Sequence, residues 1–239
     1  MSDGSRNDMR IAGAGTISGG TYGNVTVAGA GTVRGDVDAL AFKVGGAVDV
    51  IGNVKATSIV VNGTATFDGD VDGGAVVING TTDVRGHLKG DSLKVSGTAS
   101  IDGPVTTQHV EIRGTAKIGG DVEAEVFEAK GVFSIGGLLN AGTISIQLYG
   151  GADAHDIGGG TIEVREGKQW AFLPFLGERN LTADTIEGDT VYLENTRAKV
   201  VRGADVTIGV GCRIDLVEYT GSLTGSAGVT TSRKVEPTA

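Results

Sequence analysis

The sequence predicts an all-β fold: a right-handed parallel β-helix with 17-residue coils, giving way to shorter coils in the C-terminal part. Three observations carry that expectation. Glycine recurs with a strict spacing, apolar residues line up in columns with the same spacing, and inside each copy the apolar residues sit two apart.

Gly35, Gly52, Gly69, Gly86, Gly103, Gly120 and Gly137 recur at a constant spacing of 17, and so do Gly29, Gly46, Gly63, Gly80, Gly97, Gly114 and Gly131. A fixed period is the signature of a stacked architecture. One apolar column reads Val33, Val50, Phe67, Val84, Ile101, Ile118, Ile135, and another reads Val37, Val54, Val71, Leu88, Val105, Val122, Leu139. A third begins at Phe42, Ile59 and Val76, and a fourth at Val44, Val61 and Ile78. Apolar residues two apart are strand alternation, not a helical stripe. A lone copy of the repeat has no way to bury its apolar face, whereas stacked copies turn each column into a ladder of like residues about 4.8 Å apart. Each buried Val or Ile then contributes on the order of 1.5–3 kcal/mol before entropy is subtracted. Left-handed hexapeptide solenoids run on multiples of six, which 17 is not; this points to the right hand.

The elements follow in order. Residues 1–10 read as a polar arm and residues 11–165 as the regular β-helix, whose first coil is short because Gly19 to Gly35 spans 16. A swollen turn is expected over Leu148 to His155, before Ile162 and Val164 restore the pattern at a spacing of 18. Residues 166–180 break it with an aromatic insert or cap. Val191 and Leu193 recur as Val206 and Ile208 at a spacing of 15, as Ile186 does in Val201, so residues 181–221 read as an extension on shorter coils. Residues 222–239 are polar and are expected to be a disordered tail.

Composition narrows the function. Only 5% of residues are aromatic against 42 glycines, too few rings and too much glycine for an ordinary sandwich or α/β domain, while 39% hydrophobic residues exclude a disordered chain. A net charge of −9 argues against nucleic acid and against anionic membrane surfaces. Cys212 is the single cysteine, which fits a reducing compartment. The polar start lacks a signal peptide's apolar stretch, and no run approaches the roughly 20 residues of a membrane helix. The expected location is cytoplasmic, with contact at the inner face of the membrane only through partners.

No catalytic, cofactor-binding or metal-ligating residues are assigned. His87, His109 and His155 fall in different columns and do not converge. Asp36, Asn53, Asp70 and Asp121 follow glycine, where such side chains hydrogen-bond turn backbone; the nonapeptide of calcium solenoids is absent. Neither a phosphate loop nor a Cys/His metal spacing occurs. Outward Thr32 and Thr66 do not stack on consecutive coils, which argues against an ice-binding array. Trp170, Phe172 and Phe175 concentrate aromatic surface in one short segment, either as a cap over a seam or as a partner-docking site.

With the columns aligned, the chain resembles the bactofilins, polymer-forming cytoskeletal proteins of bacteria. The stretches Gly63-Thr-Ala-Thr-Phe-Asp-Gly-Asp-Val71 and Gly114-Thr-Ala-Lys-Ile-Gly-Gly-Asp-Val-Glu-Ala124 carry the likeness, which extends over about Ile11 to Val164. Residues 187–203 and 211–219 look like the second half of longer Gram-positive members. The resemblance implies a right-handed β-helix that polymerises end to end without nucleotide and scaffolds cell-shape, envelope or motility proteins, with other bactofilins among its partners. It brings no catalytic or ligand residue. Many members carry an apolar N-terminal membrane-targeting peptide; the polar residues 1–10 depart from that pattern and argue against direct membrane anchoring by that route.

A solenoid ends in open strand edges over an apolar core, and such edges pair with another copy unless capped. Self-association is therefore expected, through Ile17, Val25 and Val27 at the N-terminal end and Ile214, Val217 and Tyr219 at the C-terminal end. Two other readings stand beside a structural homopolymer: a non-polymeric binding scaffold whose partner docks on Trp170 to Leu176, and a carbohydrate-active or acyl-transfer enzyme on a β-helix.

Overall fold

The computed structural model describes residues 6–167 and 179–236. All regular structure among them is β-strand, and every strand pairing is parallel. The chain divides into two compact units, Met1–Gly119 and Gly120–Ala239. Each is a β-solenoid.

In the first unit the coils repeat as the glycines require. Val37, Val54, Val71, Leu88 and Val105 pair in one continuous ladder, and Val33, Val50, Phe67 and Val84 in another, each step at the spacing of 17. A coil contributes one short strand, such as Thr64–Phe67, and one longer strand, such as Val71–Ile78. Along the longer strand Val71, Gly73, Val76 and Ile78 are buried, so the alternation slips by one position midway. The chain bends there, and the coil presents three walls to one core. Phe42 and Phe67 meet edge to face at 6.0 Å inside it.

Both glycine series mark corners, for different reasons. A Cβ on Gly63 would lie 1.9 Å from the carbonyl oxygen of Gly46 in the preceding coil, and Gly46 and Gly80 are as tight. Only hydrogen fits where successive corners approach so closely. At the other corner, a Cβ on Gly86 would meet Asp70 Oδ1 at 2.3 Å. That oxygen accepts the His87 N–H at 2.9 Å; in the same way Asp36 Oδ1 accepts from Asn53 N and Asn53 Oδ1 from Asp70 N, both at 2.8 Å. The Asp/Asn column is thus a corner ladder in which each side chain satisfies the backbone of the next coil. His87 offers no carboxylate, and the next position is Pro104, which has no N–H to satisfy.

The second unit starts at the same spacing, Val122 on Leu139 and Phe127 on Ile144, and then varies. Ile144 pairs with Ile162 at the expected spacing of 18, after an irregularity between Ile135 and Leu138. Ala152–Glu166 is already strand, so the swollen turn expected over Leu148 to His155 is confined to residues 149–151. The next coil pairs Ala152 with Leu181 and Val164 with Leu193 at a spacing of 29, leaving the insertion between them. The shortened coils follow: Ile186 on Val201 and Leu193 on Ile208 are 15 apart, and Val201 on Val217 is 16.

The expected arm and tail are both partly strand. Met9–Ile11 pairs with Val25–Val27, and Val229–Lys234 pairs with Ile214–Tyr219. The second finding corrects the expectation of disorder for residues 229–234. These strands add backbone hydrogen bonds to an existing edge, which needs no apolar alternation of their own.

Candidate functional site

Solenoid edges are where unpaired backbone groups and core side chains meet solvent. In the first unit the N-terminal edge includes two short segments. Met9–Ile11 covers Val25–Val27, while Ala14 to Ser18 pairs on one side only among the described residues, with Ala30 to Arg34. The preceding arm is pinned to the coil below: Gly23 N donates to Asn7 O at 2.9 Å, Asn24 N to Asp8 Oδ1 at 2.8 Å, and Arg6 Nη1 to Asp38 Oδ1 at 2.8 Å. Ile11 closes part of the core, its Cδ1 lying 2.5 Å from where a Cβ on Gly31 would stand.

This arrangement redistributes the residues expected at that edge. Ile17 is half-buried on an outermost strand. Val25 and Val27 are 1% and 0% exposed, sealed beneath Met9 and Ile11, and so belong to the interior. Met9 takes their place at the rim, half-buried. It escaped sequence reading because so short a strand, flanked by polar residues, has no alternation to detect.

The second unit's C-terminal edge shows the same displacement. Ile214 and Val217 are 1% and 0% exposed and lie under the strand Val229–Lys234; Tyr219 is half-buried. The outer strand is exposed at every residue after Val229. Its Ser232 stands in the column of Ile186, Val201 and Val217, so the apolar column ends on a hydroxyl. Beside it runs a ladder of alternating charge, Glu187, Arg202, Glu218 and Arg233. Arg202 Nε and Arg233 Nε each donate to Glu218 at 2.7 Å. The hydrogen bonds from Arg202 and then Arg233 hold the Glu218 carboxyl below its ordinary range.

Trp170, Phe172 and Phe175, the expected docking aromatics, lie outside the described residues. The corner that bears the insertion is well tied. Gly167 N donates to Leu148 O at 3.0 Å, Ala152 N to Asn180 O at 3.0 Å, and Glu166 N to Glu194 Oε2 at 2.7 Å. Tyr192 Oη donates to Glu194 Oε1 at 2.5 Å, and the Arg165 guanidinium stands 4.3 Å from the Tyr192 ring centroid. Burial pushes the Glu194 carboxyl up, but Tyr192, the Glu166 N–H and Arg165 outweigh it and leave it below its ordinary range. Cys212 is buried, donates to Leu193 O at 3.3 Å, and has its thiol pushed up by that burial.

His87 and His155 are exposed, and His109 is half-buried. Among the described residues no three His, Cys, Asp or Glu side chains converge as a metal site, and no helix is long and apolar enough to cross a membrane. Sequence reading passed over one outward regularity. Thr64, Thr81, Thr98 and Thr115 stack on consecutive coils, each following a corner glycine.

Comparison with known proteins adds the following. The family model Bactofilin, described as polymer-forming cytoskeletal, matches residues 65–140. An 83-residue stretch is 48% identical to the uncharacterized protein YhbF of Bacillus subtilis (strain 168), covering 34% of each chain. A 103-residue stretch is 44% identical to the uncharacterized protein YhbE of the same organism, covering 41% of this chain and 43% of that one. The chain thus spans less than half the length of either relative in these matches. No solved structure matches it significantly.

Proposed function

We propose, from the match of residues 65–140 to the bactofilin family model, that this chain is a bactofilin, a structural rather than catalytic protein that assembles with copies of itself. The observation that carries this reading is the N-terminal edge of the first unit. Its outermost strands present Met9 and Ile17, both half-buried, beside backbone groups paired on one side only among the described residues. A second copy placed there pairs those groups and completes the burial. Two N-terminal edges meeting across a two-fold axis do so with one self-complementary surface.

Assembly in this reading requires neither nucleotide nor metal, because edge pairing and burial supply the contact. The polymer then serves as an intracellular scaffold for cell-shape, envelope or motility proteins, with other bactofilins as candidate co-polymers. Ile17→Arg tests the edge, since it places charge on the rim while leaving the buried ladder from Val33 onward intact. The expected outcome is smaller particles by light scattering with an unchanged β-type circular dichroism spectrum. Unchanged particle mass beside an intact spectrum would place the main contact elsewhere. Val25→Arg is unsuitable, because Val25 is an interior residue.

A further inference from the structure

We propose that the strand Val229–Lys234 is a detachable cover on the C-terminal edge of the second unit, competing with a second copy of this chain for that edge. The inference rests on the self-assembly reading above.

Four observations carry it. The strand beneath is a finished piece of core, with Ile214 and Val217 almost wholly buried and paired with the cover above them. The cover itself buries almost nothing: every side chain after Val229 is exposed, and its inward position is Ser232. It is hinged on a turn with two left-handed glycines, Gly225 at φ 75° and Gly228 at φ 82°. It is fastened at the far end by the Arg233–Glu218 ion pair and by Val235 N donating to Tyr219 O at 2.9 Å. A strand held by backbone pairing and a solvent-exposed ion pair is weakly held, since exposed pairs contribute little.

The outer side of this strand is a poor edge for addition. Lys234 is exposed there, and a basic side chain on an edge strand opposes pairing with another chain. Once the strand lifts, Ile214, Leu216 and Val217 form the edge instead. That surface is apolar, and a second copy paired there buries it again, with side chains of its own where the native strand brings Ser232. The cover therefore raises the concentration needed for growth at this end.

Two variants loosen the strand without touching the core. Thr231→Pro removes a ladder N–H, and Arg233→Glu sets a carboxylate against Glu218; Arg233→Lys keeps the pair as a control. Hydrogen exchange over residues 229–235 reports release, and sedimentation of full-length protein across a concentration series reports the assembly threshold. Expected are at least tenfold faster exchange for the first two variants and a threshold lowered about tenfold, with Arg233→Lys close to wild type. Faster exchange with an unchanged or raised threshold overturns the proposal and leaves self-assembly standing. Exchange no faster than wild type in both variants also overturns it. Absence of polymer from every variant at every concentration defeats self-assembly and this proposal together.

Discussion

Val71 shows what the stacked core demands of a single residue. It is 2% exposed and paired with Val54 on one side and Leu88 on the other, so Val71→Lys would bury an ammonium with no partner. The expected cost exceeds about 3 kcal/mol, and urea unfolding checks it; a wild-type midpoint would mean that Val71 faces solvent. Thr82 makes the opposite case. It is 2% exposed in a column with Ala65 and Ala99, and its hydroxyl has no hydrogen-bond partner. Thr82→Val keeps the shape and removes the stranded polar group, so it should stabilise by about 1 kcal/mol, read as a higher melting temperature. A lower one would show that the hydroxyl has a partner. Asp70 lies between these extremes. Asp70→Ala leaves the His87 N–H without its acceptor at an accessible corner and should cost about 1 kcal/mol; Asp70→Asn, which matches Asn53 one coil earlier, should cost far less.

The strand Val229–Lys234 should answer to pH through Glu218. The carboxyl is held low by Arg202 and Arg233, with Glu187 beyond Arg202 in the same ladder. A depressed carboxyl contributes stability above its unfolded value and loses it as pH falls through the lower folded value. The strand should therefore be held at neutral pH and loosen only below the ordinary carboxylate range, seen as an abrupt gain in exchange over residues 229–235. A pH-independent exchange rate, after correction for intrinsic chemistry, would show that the ion pair does not fasten it. The same strand shows what was hidden in the sequence. The inner coils of the first unit were legible because each has a neighbour on both sides, and inward positions must then be apolar or small at a fixed spacing. Ile186, Val201 and their partners were legible at 15 for the same reason. Val-Thr-Thr-Ser-Arg-Lys has one neighbour and little to bury, so its pairing rests on backbone alone and leaves no pattern. Met9–Ile11 is the same case at the other end. Missing these two strands made Val25, Val27, Ile214 and Val217 look like edges.

On the scale of the molecule, the repeat is what supports the proposed assembly. Every coil is stabilised by its neighbours, as in any stacked array, and an outermost coil is satisfied on one side alone. In the proposed assembly a copy docked at Met9 and Ile17 pairs that open edge, and edge pairing itself supplies the contact. Corner glycines, the Asp/Asn ladder and the alternating charges all make contacts between coils. The central claim is therefore assembly by edge completion, and the most direct measurement is sedimentation of the purified full-length chain, with EDTA present and nucleotide enzymatically removed. Edge completion predicts pelletable, filamentous particles above a threshold concentration, the same whether metal and nucleotide are present or removed. A chain that stays monomeric at every concentration, or that pellets only when nucleotide or metal is returned, would contradict it.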